Sequence, residues 1–177
     1  MSTSNPSKRL SCGIVVFSPD AELLLCHVTN QTHWDLPKGG MDGHESAIEA
    51  ARRETLEETG LDLPADALLD LGCFEYTTKK DLHLFAICIE RVDAGRLVCE
   101  SHYRDRASGR HLPEMDAHAW FAFDRVAERC TPKMAAVLEN RIDLRALFET
   151  LKPHALVLTR APLPPLRAAA GQACHTP

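Results

Sequence analysis

The sequence lacks the features that support small disulfide-rich or zinc-bound folds. Its seven cysteines are odd in number and include no C-x-x-C pair, and its nine histidines show no H-x-x-x-H spacing. A chain of 177 residues buries enough surface on folding to be stable without disulfides or bound zinc. The sequence therefore predicts an ordinary globular domain without structural disulfides or zinc.

Long apolar stretches are also missing. No apolar run reaches the length of about 18 residues that a membrane-spanning helix needs. Residues 1–10 are polar and contain Pro6, Lys8 and Arg9, which is unlike the hydrophobic region of a secretory signal. Ser2 stands where an N-myristoylation signal requires glycine. We therefore expect no membrane partner and a cytoplasmic location.

Positive charge is scarce relative to negative charge. The chain has 20 lysines and arginines against 25 aspartates and glutamates, a net charge of -5. Such a balance disfavours binding to duplex nucleic acid, which requires a broad basic surface. An anionic ligand must therefore be held by a few local groups or through bridging cations.

The pattern of apolar residues predicts strands interleaved with two helices. Proline and glycine clusters separate the runs, and short polar loops make two of the strand pairs resemble hairpins. We expect strands at 10–17, 22–28, 34–36, 68–77, 82–89 and 117–123, and helices at 47–59 and 133–151. The segment 38–43 is predicted to be a glycine-rich loop, and 103–113 an arginine-rich loop. This order indicates a mixed α/β fold, with an extension at 1–9, one domain at 10–152 and a proline- and alanine-rich tail at 153–177.

The first helix is unusual in its charges. Ser46 followed by Glu49 is a capping box, and Gly60 is a typical C-terminal cap. Glutamates nevertheless occupy the last turns, where the helix dipole favours basic side chains and where like charges four residues apart repel. On a helical wheel they form one stripe of about 100° that borders the apolar face. The glutamates in question are Glu54, Glu57 and Glu58.

Carboxylates at the edge of a core require a cation. Only Arg53 is within reach inside the helix, so negative charge remains in excess. Hard divalent ions prefer oxygen ligands, and Mg²⁺, with Mn²⁺ as a substitute, would neutralise the excess. The alternative is a solvated charged face in which Arg53 and other basic residues pair with the glutamates.

The spacing of these residues, together with the loop before them, resembles a known family motif. Gly39, five residues, Glu45, seven residues and then RETLEETGL, from Arg53 to Leu61, match the Nudix hydrolase box G-x5-E-x7-R-E-U-x-E-E-x-G-U, where U is aliphatic. Thr55 replaces the first aliphatic residue, which is a packing position. The resemblance implies an α/β/α sandwich with a mixed sheet that hydrolyses a pyrophosphate bond in a nucleoside diphosphate linked to another group.

The resemblance also implies roles for the box residues. Glu54, Glu57 and Glu58 would bind Mg²⁺ together with the carbonyl group of Gly39. Glu57 is our choice for the general base. Arg53 would orient these side chains, and Glu45 would brace the loop against the helix within reach of the metal.

Family members often use a further acidic residue ahead of a strand that contains tryptophan. Glu114, six residues before Trp120, fits this position as a metal ligand or base, with Asp116 as the second choice. The alternative is an acidic side chain of a surface loop, because loops are usually polar.

The substrate leaves weaker traces in the sequence. The cations that would bind a long polyphosphate are Lys38, Arg104, Arg106 and Arg110. The aromatic residues that would stack on a base are Trp34 and Tyr76. Solvated loop charges and core aromatics are equally good interpretations of these residues. The segment WDLPKGG and Tyr76 resemble the dinucleoside polyphosphate hydrolases of the family.

We therefore expect hydrolysis of a dinucleoside polyphosphate such as diadenosine tetraphosphate. A nucleoside triphosphate pyrophosphatase that sanitises the nucleotide pool, a hydrolase of RNA 5′ ends or inositol pyrophosphates, and a noncatalytic nucleotide sensor remain alternatives. The partner is then a small-molecule nucleotide, and the sequence leaves the oligomeric state open, a homodimer included.

Overall fold

A mixed seven-stranded sheet with helices on both faces forms the centre of the computed structural model, which describes residues 8–158. The strands of this sheet are β1 (Arg9–Ser18), β2 (Glu22–Val28), β3 (Trp34–Asp35), β4 (Lys38–Gly40), β5 (Leu69–Glu75), β6 (Lys80–Cys88) and β9 (Met115–Ala122). The order of its main strands is β3-β2-β1-β6-β5, with β4 paired to β1 and β9 to β2. Strands β1 and β6 are parallel, and the other pairs are antiparallel.

The two faces of the sheet bury separate cores. Helix α1 (Ala47–Thr59) covers one face through Ala50 and Ala51, which pack with side chains such as Ile14. The other face is covered by α2 (Val126–Arg129), α3 (Pro132–Asn140) and α4 (Leu144–Leu151). The predicted α/β/α sandwich is therefore confirmed, and alternate residues of β6 enter opposite cores as a strand covered on both sides requires.

Helix α1 begins and ends as the sequence predicts. Both hydrogen bonds of the Ser46–Glu49 capping box are present, and Gly60 ends the helix with a φ of 75°. Thr55, which departs from the box pattern, is fully buried, and its hydroxyl donates to the carbonyl oxygen of Ala51 at 2.8 Å. A polar side chain therefore fits this packing position because its hydrogen bond is made within the helix.

We expect Ser46→Ala to lower the free energy of unfolding by about 1 kcal/mol, because the end of α1 would lose its side-chain cap. Chemical denaturation at neutral pH measures the change. Thr78→Ala, at an exposed position of the β5–β6 turn, is the control. An equal loss in both variants would contradict the stabilising role of the capping box.

Three segments differ from the sequence prediction. Residues 38–40 of the expected glycine-rich loop form a strand that pairs with Ser11–Gly13 of β1. The expected arginine-rich loop is a hairpin of β7 (His102–Arg104) and β8 (His111–Pro113). The expected helix at 133–151 is two helices, because the Asp143 side chain accepts from the backbone N–H of Ala146 and starts α4 anew. Within residues 8–158, no helix has the length and apolar composition needed to cross a membrane.

Candidate active site

The site begins where β4 passes under α1. A Cβ atom added to Gly39 would lie 2.1 Å from the carboxylate carbon of Glu54, so only glycine fits this crossing. The carbonyl oxygen of Gly39 accepts a hydrogen bond from the Ser11 hydroxyl at 3.1 Å. The crossing therefore places a backbone carbonyl group beside a largely buried carboxylate, which is 8% exposed.

Arg53 connects the carboxylates around this crossing. Its guanidinium donates to Glu45 at 2.7 Å, to Glu54 at 2.8 Å and to Glu57 at 3.2 Å. It also donates to the carbonyl oxygen of Gly40 at 2.8 Å. One positive charge thus faces three carboxylates, so negative charge remains in excess.

Glu58 is the most deeply buried of the helix carboxylates. It is 2% exposed, and its Oε2 accepts from the backbone N–H of Lys38 at 2.9 Å. Burial raises the pKa of Glu58 to about 8, although the positive charge of Lys38 opposes the rise. Burial also raises the pKa of Glu54, and the nearby charges of Glu57 and Glu114 add to that effect. Both carboxylates are therefore costly to ionise without a further cation.

The positive charge of Lys38 is not available to compensate Glu54 and Glu58, because it is already paired. Its ammonium group pairs with Asp35 at 2.8 Å, and the two side chains are only 15% and 7% exposed. Burial opposes the charged form of Lys38, but its carboxylate neighbours outweigh this and raise the pKa of Lys38. The lysine that we predicted to bind substrate is thus held in an ion pair beside Glu58.

The acidic end of α1 is stabilised by contacts from outside the helix. Its last turn contains no basic residue. The carbonyl oxygen of Glu57 instead accepts from the backbone N–H of Glu100 at 2.6 Å, and that of Glu58 lies 2.7 Å from Nε2 of His118. Burial lowers the pKa of His118, which favours the neutral ring as the donor. These contacts satisfy the carbonyl groups at the end of α1, so glutamates are tolerated in the last turn, where the helix dipole favours basic side chains.

Glu114 lies at this same end of the helix. Its carboxylate accepts from the Ser101 hydroxyl at 3.4 Å, and its charge contributes to the raised pKa of Glu54 and of Glu58. Asp116, the second choice, instead contacts the His27 ring at 2.5 Å. The structure therefore brings Glu114, rather than Asp116, to the box glutamates.

The predicted substrate-binding residues occupy different surroundings. The Trp34 ring packs edge-on against His27 and Phe121, with centroids 5.1 Å and 5.0 Å away. Tyr76 is partly buried and packs against the core on the α3 side of the sheet. The exposed β7–β8 hairpin carries the remaining three candidates, Arg104, Arg106 and Arg110.

The donor set at the crossing fits a hard divalent cation. Within residues 8–158, no three Asp, Glu, His or Cys side chains already converge on one metal position. The reason is visible at Arg53, which draws Glu54 and Glu57 to its own guanidinium. The excess of carboxylates, the raised pKa values of Glu54 and Glu58 and the adjacent Gly39 carbonyl are the properties that oxygen-seeking cations complement.

Two residues that shape the site were not predicted from the sequence. Asp35 holds Lys38, and His118 contacts the end of α1. The three-residue spacing of Asp35 and Lys38 was visible, but β3 and β4 had to be placed before it had meaning. No local signal pointed to His118, because its partner lies 60 positions away in the chain.

Comparisons with known proteins agree with the motif. The family model described as NUDIX domain matches residues 7–140. An uncharacterized 17.7 kDa protein of Enterobacteria phage T4 is similar to this chain over most of the phage protein's length. The two are 41% identical over 123 residues, which are 63% of this chain and 81% of the phage protein. An RNA pyrophosphohydrolase of Caulobacter vibrioides is 40% identical over 60 residues, which are 32% of this chain and only 35% of that enzyme.

Solved structures share the fold. The crystal structure of a C. elegans Ap4A hydrolase binary complex superposes with a TM-score of 0.57 and 19% sequence identity. The match covers 79% of this chain and 98% of the C. elegans chain. At this identity the similarity shows the architecture alone.

Proposed function

The chain belongs to the Nudix hydrolase family, and we propose that it hydrolyses a phosphoric anhydride bond in a dinucleoside polyphosphate such as diadenosine tetraphosphate. The observation that carries the proposal is the buried excess of carboxylates at the crossing of Gly39 and α1. Phosphate chains are polyanions, so a site of this charge can accept them only with divalent cations between. Family members generally use such cations, and we propose Mg²⁺ for this chain.

The proposed ligands are the carboxylates of Glu54, Glu57 and Glu58 and the carbonyl oxygen of Gly39, with Glu114 as a further candidate. When bound, a divalent cation neutralises phosphate oxygens and lowers the pKa of water. Arg53 orients Glu54 and Glu57 through its hydrogen bonds. The backbone N–H of Lys38 holds Glu58.

Glu57 is our proposal for the general base. Its side chain is 41% exposed, compared with 11% for that of Glu54, so it can reach a water molecule at the entrance of the site. The oxygen of that water bonds to phosphorus while the bond from phosphorus to the bridging oxygen breaks. Glu57 takes the proton, and the leaving phosphate departs with the bridging oxygen.

The choice of a dinucleoside polyphosphate rests on the WDLPKGG segment, on Tyr76 and on the arginines downstream. Trp34 and Tyr76 are partly buried at their present positions. The 5′ end of RNA is an alternative substrate, because the relative described as an RNA pyrophosphohydrolase is 40% identical over 60 residues, although these are only 35% of that enzyme.

The test is incubation with Mg²⁺ and a panel of nucleotides, followed by chromatography of the products. The panel contains diadenosine tetraphosphate, ATP, the deoxynucleoside triphosphates and a 5′-triphosphorylated oligonucleotide. We expect diadenosine tetraphosphate to be cleaved and the triphosphates to be spared. Preferred cleavage of triphosphates would identify a nucleotide-pool enzyme instead, and no turnover of any compound would favour a sensor.

A further inference from the structure

We propose that the β7–β8 hairpin is a polyphosphate clamp that binds the phosphates lying beyond the scissile bond. The inference rests on the proposed function and names the feature of the substrate that the chain selects, which is a phosphate chain longer than a triphosphate. The hairpin residues that provide the cations are Arg104, Arg106 and Arg110.

Both ends of the hairpin are fixed to the active site. The backbone N–H of Ser101, one residue before β7, donates to the carbonyl oxygen of Glu57 at 3.3 Å. The backbone N–H of Glu114, one residue after β8, donates to the carbonyl oxygen of Ser101 at 3.0 Å. The hairpin therefore starts and finishes at candidate catalytic residues, and it cannot move far without them.

The cations inside the site are already committed. Lys38 is paired with Asp35, and Arg53 with three glutamates. In the part of the chain that the structure describes, none of the hairpin arginines has an ion-pair partner. The hairpin arginines, unlike Lys38 and Arg53, are thus free to pair with an incoming phosphate chain.

The acidic residue of the hairpin, Asp105, offsets only one of these positive charges. The carboxylate of Asp105 accepts from the backbone N–H and the hydroxyl of Ser108 and so shapes the turn. These bonds lower the pKa of Asp105 and keep it ionised within the turn. Three arginines against one aspartate leave the hairpin positive on a chain whose net charge is -5.

The orientation of the hairpin leaves Arg104 open to solvent. Tyr103 is turned toward the protein, where its hydroxyl accepts from the side chain of Asn30 at 3.1 Å. Neighbouring residues of a strand point to opposite faces, so Arg104 points the other way, beside its register partner His111. Both are exposed.

The length of the hairpin suits this role. At about 3.4 Å per residue, Arg104 lies about 10 Å along the strand from Ser101. A phosphate pair held at the box glutamates would leave further phosphates of a longer chain to extend along this strand. Guanidinium groups bind such oxygens in pairs with good geometry.

The test combines a binding and a kinetic measurement. The variant R104Q/R106Q/R110Q is compared with the control K79Q/R141Q/R145Q, which removes three exposed cations elsewhere on the surface. Calorimetry with inorganic tetrapolyphosphate and Mg²⁺, with Glu57→Gln added to each protein to suppress turnover, measures binding. We expect the hairpin variant to bind about 10- to 100-fold more weakly, because charge-assisted hydrogen bonds are lost, and the control to bind as the wild type does.

Kinetics then test chain-length selection. The KM of the hairpin variant should rise for adenosine tetraphosphate and diadenosine tetraphosphate by about 10-fold more than the inhibition constant of ATP, measured as a competitor of diadenosine tetraphosphate. Equal changes in these three constants, or an equal loss of binding in the control, would overturn the clamp. A defect confined to a 5′-triphosphorylated oligonucleotide would overturn it in favour of a contact with a nucleic-acid backbone.

The two proposals fail in different ways. A wild type that binds tetrapolyphosphate through the hairpin but hydrolyses no nucleotide would refute the proposed function alone. A wild type that hydrolyses nucleotides with no dependence on phosphate number would refute the clamp alone.

Discussion

Gly39→Ala is expected to lower kcat/KM about 100-fold, since a displacement of about 1 Å in a catalytic group has effects of this size. The added methyl group would lie 2.1 Å from the Glu54 carboxylate, closer than any two nonbonded atoms can approach. Either Glu54 leaves its position or β4 separates from α1. Both outcomes move a proposed metal ligand and the carbonyl group beside it.

Gly40→Ala is the matched control. It adds the same methyl group one residue later, where no heavy atom lies within 4 Å, and we expect close to wild-type turnover. Mn²⁺ binding followed by electron paramagnetic resonance gives a second measurement that does not depend on the substrate. Equal activity of the two variants would remove the Gly39–Glu54 crossing from the mechanism.

Glu58→Gln is expected to have opposite effects on activity and on stability. Loss of a buried carboxylate at the proposed metal site should lower kcat about 100- to 1000-fold, as for other groups that stabilise charge in the transition state. The metal-free protein should become more resistant to unfolding near pH 8, because the glutamine needs no ionisation and retains an oxygen for the Lys38 N–H.

The sign of the stability effect follows from the pKa of Glu58. The ordinary value is 4.5, and the folded protein raises it to about 8. Between these limits the folded state holds a proton that the unfolded state has released, so rising pH favours unfolding. We expect this group to cost the metal-free wild type on the order of 5 kcal/mol across that range, at about 1.4 kcal/mol per pKa unit.

Denaturation at a series of pH values in the presence of chelator measures the cost as the difference between wild type and variant. Glu57→Gln is the control, because its side chain is 41% exposed. It should reduce turnover while keeping the buried Glu58 carboxylate and the cost of ionising it. A Glu58→Gln variant that follows the wild-type pH curve would show that the buried carboxylate carries no such penalty.

Much of the site could be predicted because its signals are local. The capping box and Gly60 fix the ends of α1, and the wheel positions of Glu54 and Glu58 place both at the border of the core, as the structure confirms. These inferences use residues within one helix, where the backbone geometry is known in advance. The mixed α/β order followed in the same way from runs of apolar residues.

The remainder depends on contacts between distant segments. The strand at 38–40 exists because β1 offers it backbone partners, and a sequence rich in glycine does not reveal that pairing. The helix at 133–151 was predicted as one piece because the apolar spacing continues through Ile142, whereas the side chain of Asp143 starts a new helix. The Asp35–Lys38 pair likewise acquires a role only when Glu58 is packed beside it.

The hydrogen-bonded base of the β7–β8 hairpin separates the tip of the hairpin from the glutamates of α1. Ser101 and Glu114 are joined to each other and, through Ser101, to the end of α1, so we expect that the exposed tip of the hairpin can be shortened, lengthened or substituted without displacing the glutamates. If the hairpin is the proposed clamp, sequence changes at its tip would alter substrate selection and leave the proposed catalytic residues in place. The same junction is the natural point for grafting a hairpin from a relative to reprogram selectivity.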